Sequence, residues 1–218
     1  MKTPPLAAQQ CFWGRVQVNQ VWPLFIYQGR YKELVHNIKY CNNVSLGLYL
    51  GEMLGRRIFN SMAFNASFSS GASCLQNVDF VIPVPLHWRR RLKRGYNQSE
   101  VIARGICRGW NEAAAEADAS LSGRNGGVVK QCKVLSQVLY RKSATRTQTR
   151  KDRAERWLNV RDAFGAKDSE RNGALLEGKH VLLVDDVLTT GATLDACATV
   201  LLQHFNCSIS IATLGYVQ

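Results

Sequence analysis

Two stretches of the chain carry residue types that can do chemistry together. The first is residues 181–193, VLLVDDVLTTGAT. Its apolar start reads as a strand buried in a parallel sheet, and such a strand delivers Asp185 and Asp186 to the carboxyl edge, where open α/β sheets bind ligands. Thr189, Thr190, Gly191, Ala192 and Thr193 then open a helix. Free N–H groups and the positive end of the helix dipole make that turn a phosphate cradle. Threonine hydroxyls add donors, and Gly191 lets a ligand approach the backbone closely. Two carboxylates aimed at a phosphate would repel it, so they must face something else, such as ribose hydroxyls or a Mg²⁺ carried by the substrate. A ligand with a 5-phosphate and a free cis-diol satisfies both halves. Strand-capping acids followed by an N-cap are the plain structural use of the same residues, but the full set in one ungapped run favours binding.

The second stretch is residues 82–98, IPVPLHWRRRLKRGYNQ. It leaves a strand through Pro83 and Pro85, which proline's missing donor permits at a strand end. It then gathers His87, Arg89, Arg90, Arg91, Lys93 and Arg94. A departing pyrophosphate needs such neutralisation. Roughly one to three of these groups can reach one pyrophosphate, which leaves the others as a solvated face or a contact for a larger polyanion.

Residues 181–193 resemble the 13-residue signature of type I phosphoribosyltransferases. The resemblance implies that Asp185 and Asp186 are the catalytic acids contacting ribose hydroxyls of phosphoribosyl pyrophosphate. Leu188, Thr189, Thr190, Gly191, Ala192 and Thr193 would wrap its 5-phosphate. Residues 83–98 are similar to the ComF family, which includes GntX-like proteins. There Val84, Pro85, Leu86 and His87 belong to the pyrophosphate loop, and Arg94, Gly95, Tyr96, Asn97 and Gln98 match an RGfNQ signature. Residues 141–164, with Thr147, Gln148, Asn159 and Val160, resemble the family's mobile catalytic loop and the strand after it, and Lys39 with Tyr40 an early lKy element. The likeness covers residues 22–216. It implies phosphoribosyl transfer to a nitrogen acceptor, with Mg²⁺ arriving on the substrate and no resident metal. The alternative it implies is a non-catalytic module for nucleotide sugars or single-stranded DNA in DNA uptake, with competence proteins as partners. A homodimer fits either. Many members begin with a zinc-ribbon-like module of C-x-x-C pairs; only Cys11 stands near the start here, so that module is expected to be absent or degenerate.

The elements that must position these residues follow from periodicity. Residues 30–40 and 46–59 carry apolar residues at helical spacing, and residues 60–77 read as a loop or frayed end. Residues 80–84 read as a strand, and 99–110 as a helix that Asn97 or Ser99 caps. Residues 134–140 and 160–164 read as strands around a charged, Thr-rich lid at 141–153. A strand at 180–185, a helix with Leu194, Cys197, Ala198, Leu201 and Phe205 on one face, and a strand at 208–214 close the chain. This alternation predicts an α/β fold with a mostly parallel twisted sheet flanked by helices, the type I phosphoribosyltransferase fold by resemblance. The expected division is a small N-terminal hood at 1–60 and a core at 61–218 with a surface insertion at 111–130. The aromatics near the start (Phe12, Trp13, Trp22, Phe25) are expected to cover the sheet rather than stack bases.

Composition bounds the rest. The 218 residues, 46% hydrophobic and 20% charged, suit one substantial globular domain. No apolar run approaches the ~18 residues of a membrane span. The first ten residues lack a signal-peptide apolar region, so a cytoplasmic protein is expected. The seven dispersed cysteines read as reduced thiols with no zinc-ligand spacing. Twenty-eight Lys and Arg against sixteen Asp and Glu give a net charge of +12, which attracts polyanions without choosing among them.

Overall fold

Strands buried on both faces carry mostly apolar runs, and the two longest strands do so at residues 181–184 and 211–214: β6 (Lys179–Leu188) and β7 (Cys207–Tyr216), of ten residues each, pair in parallel at the centre of the sheet. The computed structural model describes residues 8, 10–12, 16–68, 78–120, 131–142, 163–167 and 169–217. Its main sheet runs β1 (Val21–Ile26), β7, β6, β2 (Phe80–Pro83), β3 (Lys133–Val134), and all four pairings are parallel. A second, two-stranded antiparallel sheet joins β4 (Leu139–Arg141) to β5 (Phe164–Ala166). The expected α/β architecture with a mostly parallel sheet flanked by helices is the one observed.

Side-chain alternation along β6 and β7 divides the core into two layers. Val181, Leu183, Ile209 and Ile211 pack with Leu194, Cys197, Ala198 and Leu201 of α6 (Ala192–His204), and with Leu139 and Phe164 of the small sheet. Leu182, Val184, Ala212 and Leu214 pack on the opposite layer. That layer is built from α1 (Arg30–Tyr40), α2 (Val44–Phe68) and α4 (Gln98–Ser120), through Ile38, Leu54, Ile58, Ile102, Ile106 and Trp110. Two short helices, α3 (Trp88–Arg94) and α5 (Glu170–Leu176), complete the described elements.

The differences from the sequence-based expectation have local causes. The aromatic stretch around Pro23 is the strand β1; proline sits in it because β1 is an edge strand bonded only to β7. The single strand expected at 134–140 is two strands, broken by a turn at Ser136 and Gln137 and pairing in different sheets. Helix α2 runs past Asn60 to Phe68, because Met62 is buried against Trp110's layer and extends the apolar face. Helix α4 absorbs the alanines at 113–115 and ends at Ser120, inside the stretch expected as an insertion. Residues 160–162 of the strand expected before Phe164 lie outside the described residues, as do Trp13, Cys74, and residues 143–153 of the lid. Among the described residues no helix is long and apolar enough to cross a membrane, and Cys11, Cys41, Cys107, Cys132, Cys197 and Cys207 are free thiols.

Helices α2 and α4 approach closely enough for backbone to touch backbone. A Cβ at Gly55 would overlap the Ile106 carbonyl, and one at Gly109 would overlap the Glu52 carbonyl. Ion pairs line the solvent side of the same seam, Arg56 with Glu112 at 2.7 Å and with Glu116 at 2.9 Å. Exposed pairs of this kind contribute little, so the glycine contact sets the helix spacing. Gly55→Ala should destabilise the protein by about 1–3 kcal/mol in urea unfolding, because helix backbones must separate. Gly173→Ala in α5, with open space at its Cβ, should be neutral or slightly stabilising.

Candidate functional site

The carboxyl edge of β2 and β6 gathers most of the residues singled out by sequence. The parallel pairing of β2 with β6 sets Pro83 beside Val184, and the Val84 N–H continues it by donating to the Val184 carbonyl at 2.8 Å. Residues 84–87 therefore leave the sheet next to the two acids. Asn97 ties this loop down: its Nδ2 donates to the Val84 carbonyl at 3.0 Å, and its Oδ1 accepts the Ser99 N–H at 3.2 Å, capping α4. Of the loop residues Val84 and His87 are buried, Pro85 and Leu86 half-buried.

His87 caps α3, its Nδ1 accepting the Arg89 N–H at 3.2 Å. Burial, with the neighbouring charges of Arg141, Arg89 and Arg90, lowers its pKa from the ordinary histidine value. Both effects favour the neutral ring that the cap requires. Helix α3 then turns Arg89, Arg90 and Arg91 into solvent together with Trp88 and Leu92, the last 76% exposed. It ends at Gly95, whose φ of 78° places it in the left-handed region, with its N–H on the Arg91 carbonyl. Arg94 folds back instead of pointing outward, with Nη1 donating to Gln98 Oε1 at 3.0 Å and its guanidinium 5.1 Å from the Tyr40 ring centroid. Gln98 is buried.

Asp185 and Asp186 are adjacent at the carboxyl end of β6. Asp185 Oδ1 accepts two hydrogen bonds, from Ser99 Oγ at 2.9 Å and from the Asp186 N–H at 2.9 Å. Burial, reinforced by the charge of Asp186, nevertheless raises its pKa to about 7. Asp186 Oδ1 lies 3.0 Å from Lys39 Nζ, at the last turn of α1. On the other layer Arg141, at the end of β4 and 5.2 Å from the Phe164 ring centroid, is close enough for its charge to act on both Asp185 and His87. The Cys197 thiol beneath is pushed well up by burial and by Asp185.

The turn after β6 has the form of an anion cradle. Leu188 is buried at the strand end, Thr189 is exposed, and Thr190, Ala192 and Thr193 are half-buried. Gly191 holds the N-cap of α6 at φ 77°, a conformation costly for any residue with a side chain. A Cβ there would also press on the Phe12 ring at 3.4 Å. Phe12 is buried, so its aromatic surface backs this turn rather than facing solvent.

The structure thus brings Asp185, Asp186, Val84, Pro85, Leu86, His87, Arg94, Asn97, Gln98 and the turn from Leu188 to Thr193 to one edge, and leaves Arg89, Arg90 and Arg91 on an outer face. Sequence reasoning did not single out Ser99 and Arg141 as site neighbours, nor Lys39 beyond its family element. No spacing links Lys39 to Asp186, since the contact joins an N-terminal helix to a strand far along the chain.

With this geometry in view, the fold and site define a type I phosphoribosyltransferase-like protein, and residues 116–217 match the family model described as phosphoribosyl transferase domain. The chain is 27% identical over 178 residues to the DNA utilization protein YhgH of Escherichia coli O6:H1, covering 82% of this chain and 63% of that protein. YhgH of Salmonella typhimurium is 28% identical with the same coverage. Competence protein F of Haemophilus influenzae is 29% identical over 121 residues, 56% of this chain and 43% of that one. These likenesses agree with a ComF-like protein of phosphoribosyltransferase fold, and the chain spans 63% of the length of the YhgH relatives it matches.

The raised pKa of Asp185 has a consequence for stability. A carboxyl group with a higher pKa folded (about 7) than unfolded (3.8) holds its proton more tightly in the native state. Its contribution to stability is therefore present at low pH and declines as pH rises through that window. Asp185→Asn keeps an oxygen for Ser99 and the Asp186 N–H but cannot ionise. Between about pH 4 and 8, unfolding free energies should move in favour of the variant by on the order of 1–3 kcal/mol. Denaturant melts of both proteins across that range measure it; parallel pH profiles would show that Asp185 titrates normally.

Proposed function

We propose that the protein binds phosphoribosyl pyrophosphate with Mg²⁺ and transfers its phosphoribosyl group to a nitrogen acceptor. The observation that carries this reading is the juxtaposition at one sheet edge of two acids, a left-handed Gly191 opening a helix, and the loop 84–87 fastened beside them by Asn97. The turn from Leu188 to Thr193 holds the 5-phosphate with N–H groups and hydroxyls. Asp185 and Asp186 accept the ribose hydroxyls. In the reaction the bond from C1′ to the pyrophosphate oxygen breaks, and pyrophosphate leaves with its electron pair. The acceptor nitrogen supplies the pair for the new C1′–N bond and loses a proton. Charge develops on the sugar and the leaving group, so the protein contributes position and fixed charge rather than covalent chemistry. In this reading the loop 84–87, with His87 at its end, faces the departing pyrophosphate.

The donors at the acids do not suit a resident metal. Asp185 Oδ1 already takes two hydrogen bonds and Asp186 Oδ1 an ammonium. Magnesium is therefore part of the substrate in this reading. We place the activity in the cytoplasm. Calorimetric titration with phosphoribosyl pyrophosphate should show binding that requires Mg²⁺ and weakens at least about tenfold in the double variant Asp185→Asn, Asp186→Asn. Affinity unaffected by the double substitution would overturn the assignment.

A second reading is favoured by the outer face of α3, where Trp88 (59% exposed), Leu92 and three arginines point into solvent, with Arg89 over the Trp88 ring at 5.2 Å. Aromatic and basic residues so mixed suit single-stranded nucleic acid, and relatives bear names from DNA utilization and competence. In this reading the protein works in DNA uptake, with competence proteins or a second copy as partners. Fluorescence anisotropy with a single-stranded oligonucleotide should give a log affinity that falls with log salt by about 0.7 per phosphate neutralised. Arg89→Ala, Arg90→Ala and Arg91→Ala together should lower that slope by about two; a flat dependence or absent binding removes this reading.

A further inference from the structure

Lys39 is held at Asp186 by more than its own charge. The two side chains are only 22% and 15% exposed, so their 3.0 Å contact is sheltered from solvent and salt. The lysine belongs to the last turn of α1, and that turn is fastened to residues 94–96. The Tyr96 hydroxyl donates to the Ile38 carbonyl, the Arg94 guanidinium covers the Tyr40 ring, and Ile38 itself is fully buried. The same segment holds the loop 84–87 through Asn97 and Val84. One element therefore positions both the anion-facing loop and the ammonium at the acid.

We propose that Lys39 is the resident counter-cation of the acid pair: it fills Asp186 Oδ1 when no substrate is bound, keeps free divalent metal off the acids, and leaves Mg²⁺ to enter only with a pyrophosphate-bearing substrate. The inference rests on the reading of Asp185 and Asp186 as sugar-holding acids. Proteins take Mg²⁺ through one or two carboxylates while the ion keeps several waters. Two neighbouring aspartates at a strand end offer that opportunity once their oxygens are open. Here Ser99 and the Asp186 N–H engage Asp185 Oδ1, and Lys39 engages Asp186 Oδ1. An arriving ion must displace an ammonium whose helix is tied down, and it meets that ammonium's repulsion on approach. Ribose hydroxyls carry no charge and escape the repulsion, so the arrangement admits the sugar while resisting the bare metal. Lys39 is a positioning residue in this account and touches no reacting atom.

The test uses Mn²⁺ alone, followed by electron paramagnetic resonance and calorimetry, on the wild-type protein, Lys39→Met, Lys39→Arg and the double variant Lys39→Met, Asp186→Asn. Lys39→Met should bind Mn²⁺ about tenfold or more tightly than the wild type. Lys39→Arg should restore exclusion, and the added Asp186→Asn should abolish the gained binding. Circular dichroism and thermal melting establish that each variant is folded. Wild-type protein that binds Mn²⁺ as tightly as Lys39→Met, or a folded Lys39→Met that gains nothing, would overturn the proposal. Should Lys39→Met not fold, Mn²⁺ binding to the wild type that Asp186→Asn removes would overturn it equally, and failure of the wild type to bind Mn²⁺ with gain in Lys39→Gln would support it. No phosphoribosyl pyrophosphate enters these titrations. Its failure to bind in the calorimetry above would count against the transferase reading alone.

Discussion

The parallel pairing of β2 with β6 is the constraint on which the site depends. In a parallel ladder both strands end at the same edge, so the segments that follow them emerge side by side. The register of Pro83 with Val184 is what sets the loop 84–87 against Asp185 and Asp186. Slipping that register by one residue would turn the acids to the wrong faces, because side chains alternate with a period of two. The buried residues 181–184 pin it, with Val181 and Leu183 committed to one layer and Leu182 and Val184 to the other. Stability and site geometry are thus specified by the same four side chains.

Different neighbours set the two adjacent acids apart. Asp185, within electrostatic reach of Arg141 and Cys197, has its pKa raised by burial to about 7. Asp186, turned toward α1, has a lysine to balance it. Two acids one residue apart at a strand end would otherwise repel each other and any phosphate nearby. Giving one of them a cation reduces both penalties.

The Arg94 to Gln98 segment acts as a clasp. Gly95 reverses the chain out of α3, Tyr96 and Arg94 hold the end of α1, and Asn97 holds the loop 84–87 while capping α4. These five residues gather three elements around one edge. Their value lies in positioning, which accounts for a polar, turn-rich stretch among buried helices.

Much of this was legible in the order of residues. Residues 181–193 combine an apolar strand, two acids and a glycine-bearing turn within one local run, and local patterns survive folding because strand, turn and helix start are set by neighbouring residues. The helices at residues 30–40 and 99–110 and the strands β2, β6 and β7 were visible for the same reason. Strand β1 was hidden by Pro23, which reads as a breaker until an edge position makes it harmless. The split of residues 134–140 between two sheets depends on which partners lie alongside, and periodicity holds no record of partners. Lys39 at Asp186, Ser99 at Asp185 and Arg141 near both His87 and Asp185 join residues separated by scores of positions. The sequence by itself determined the chemistry available at the edge of the sheet. Only the tertiary structure decided which acid received the cation and which kept its proton, because charge and burial act through distance in space, not along the chain.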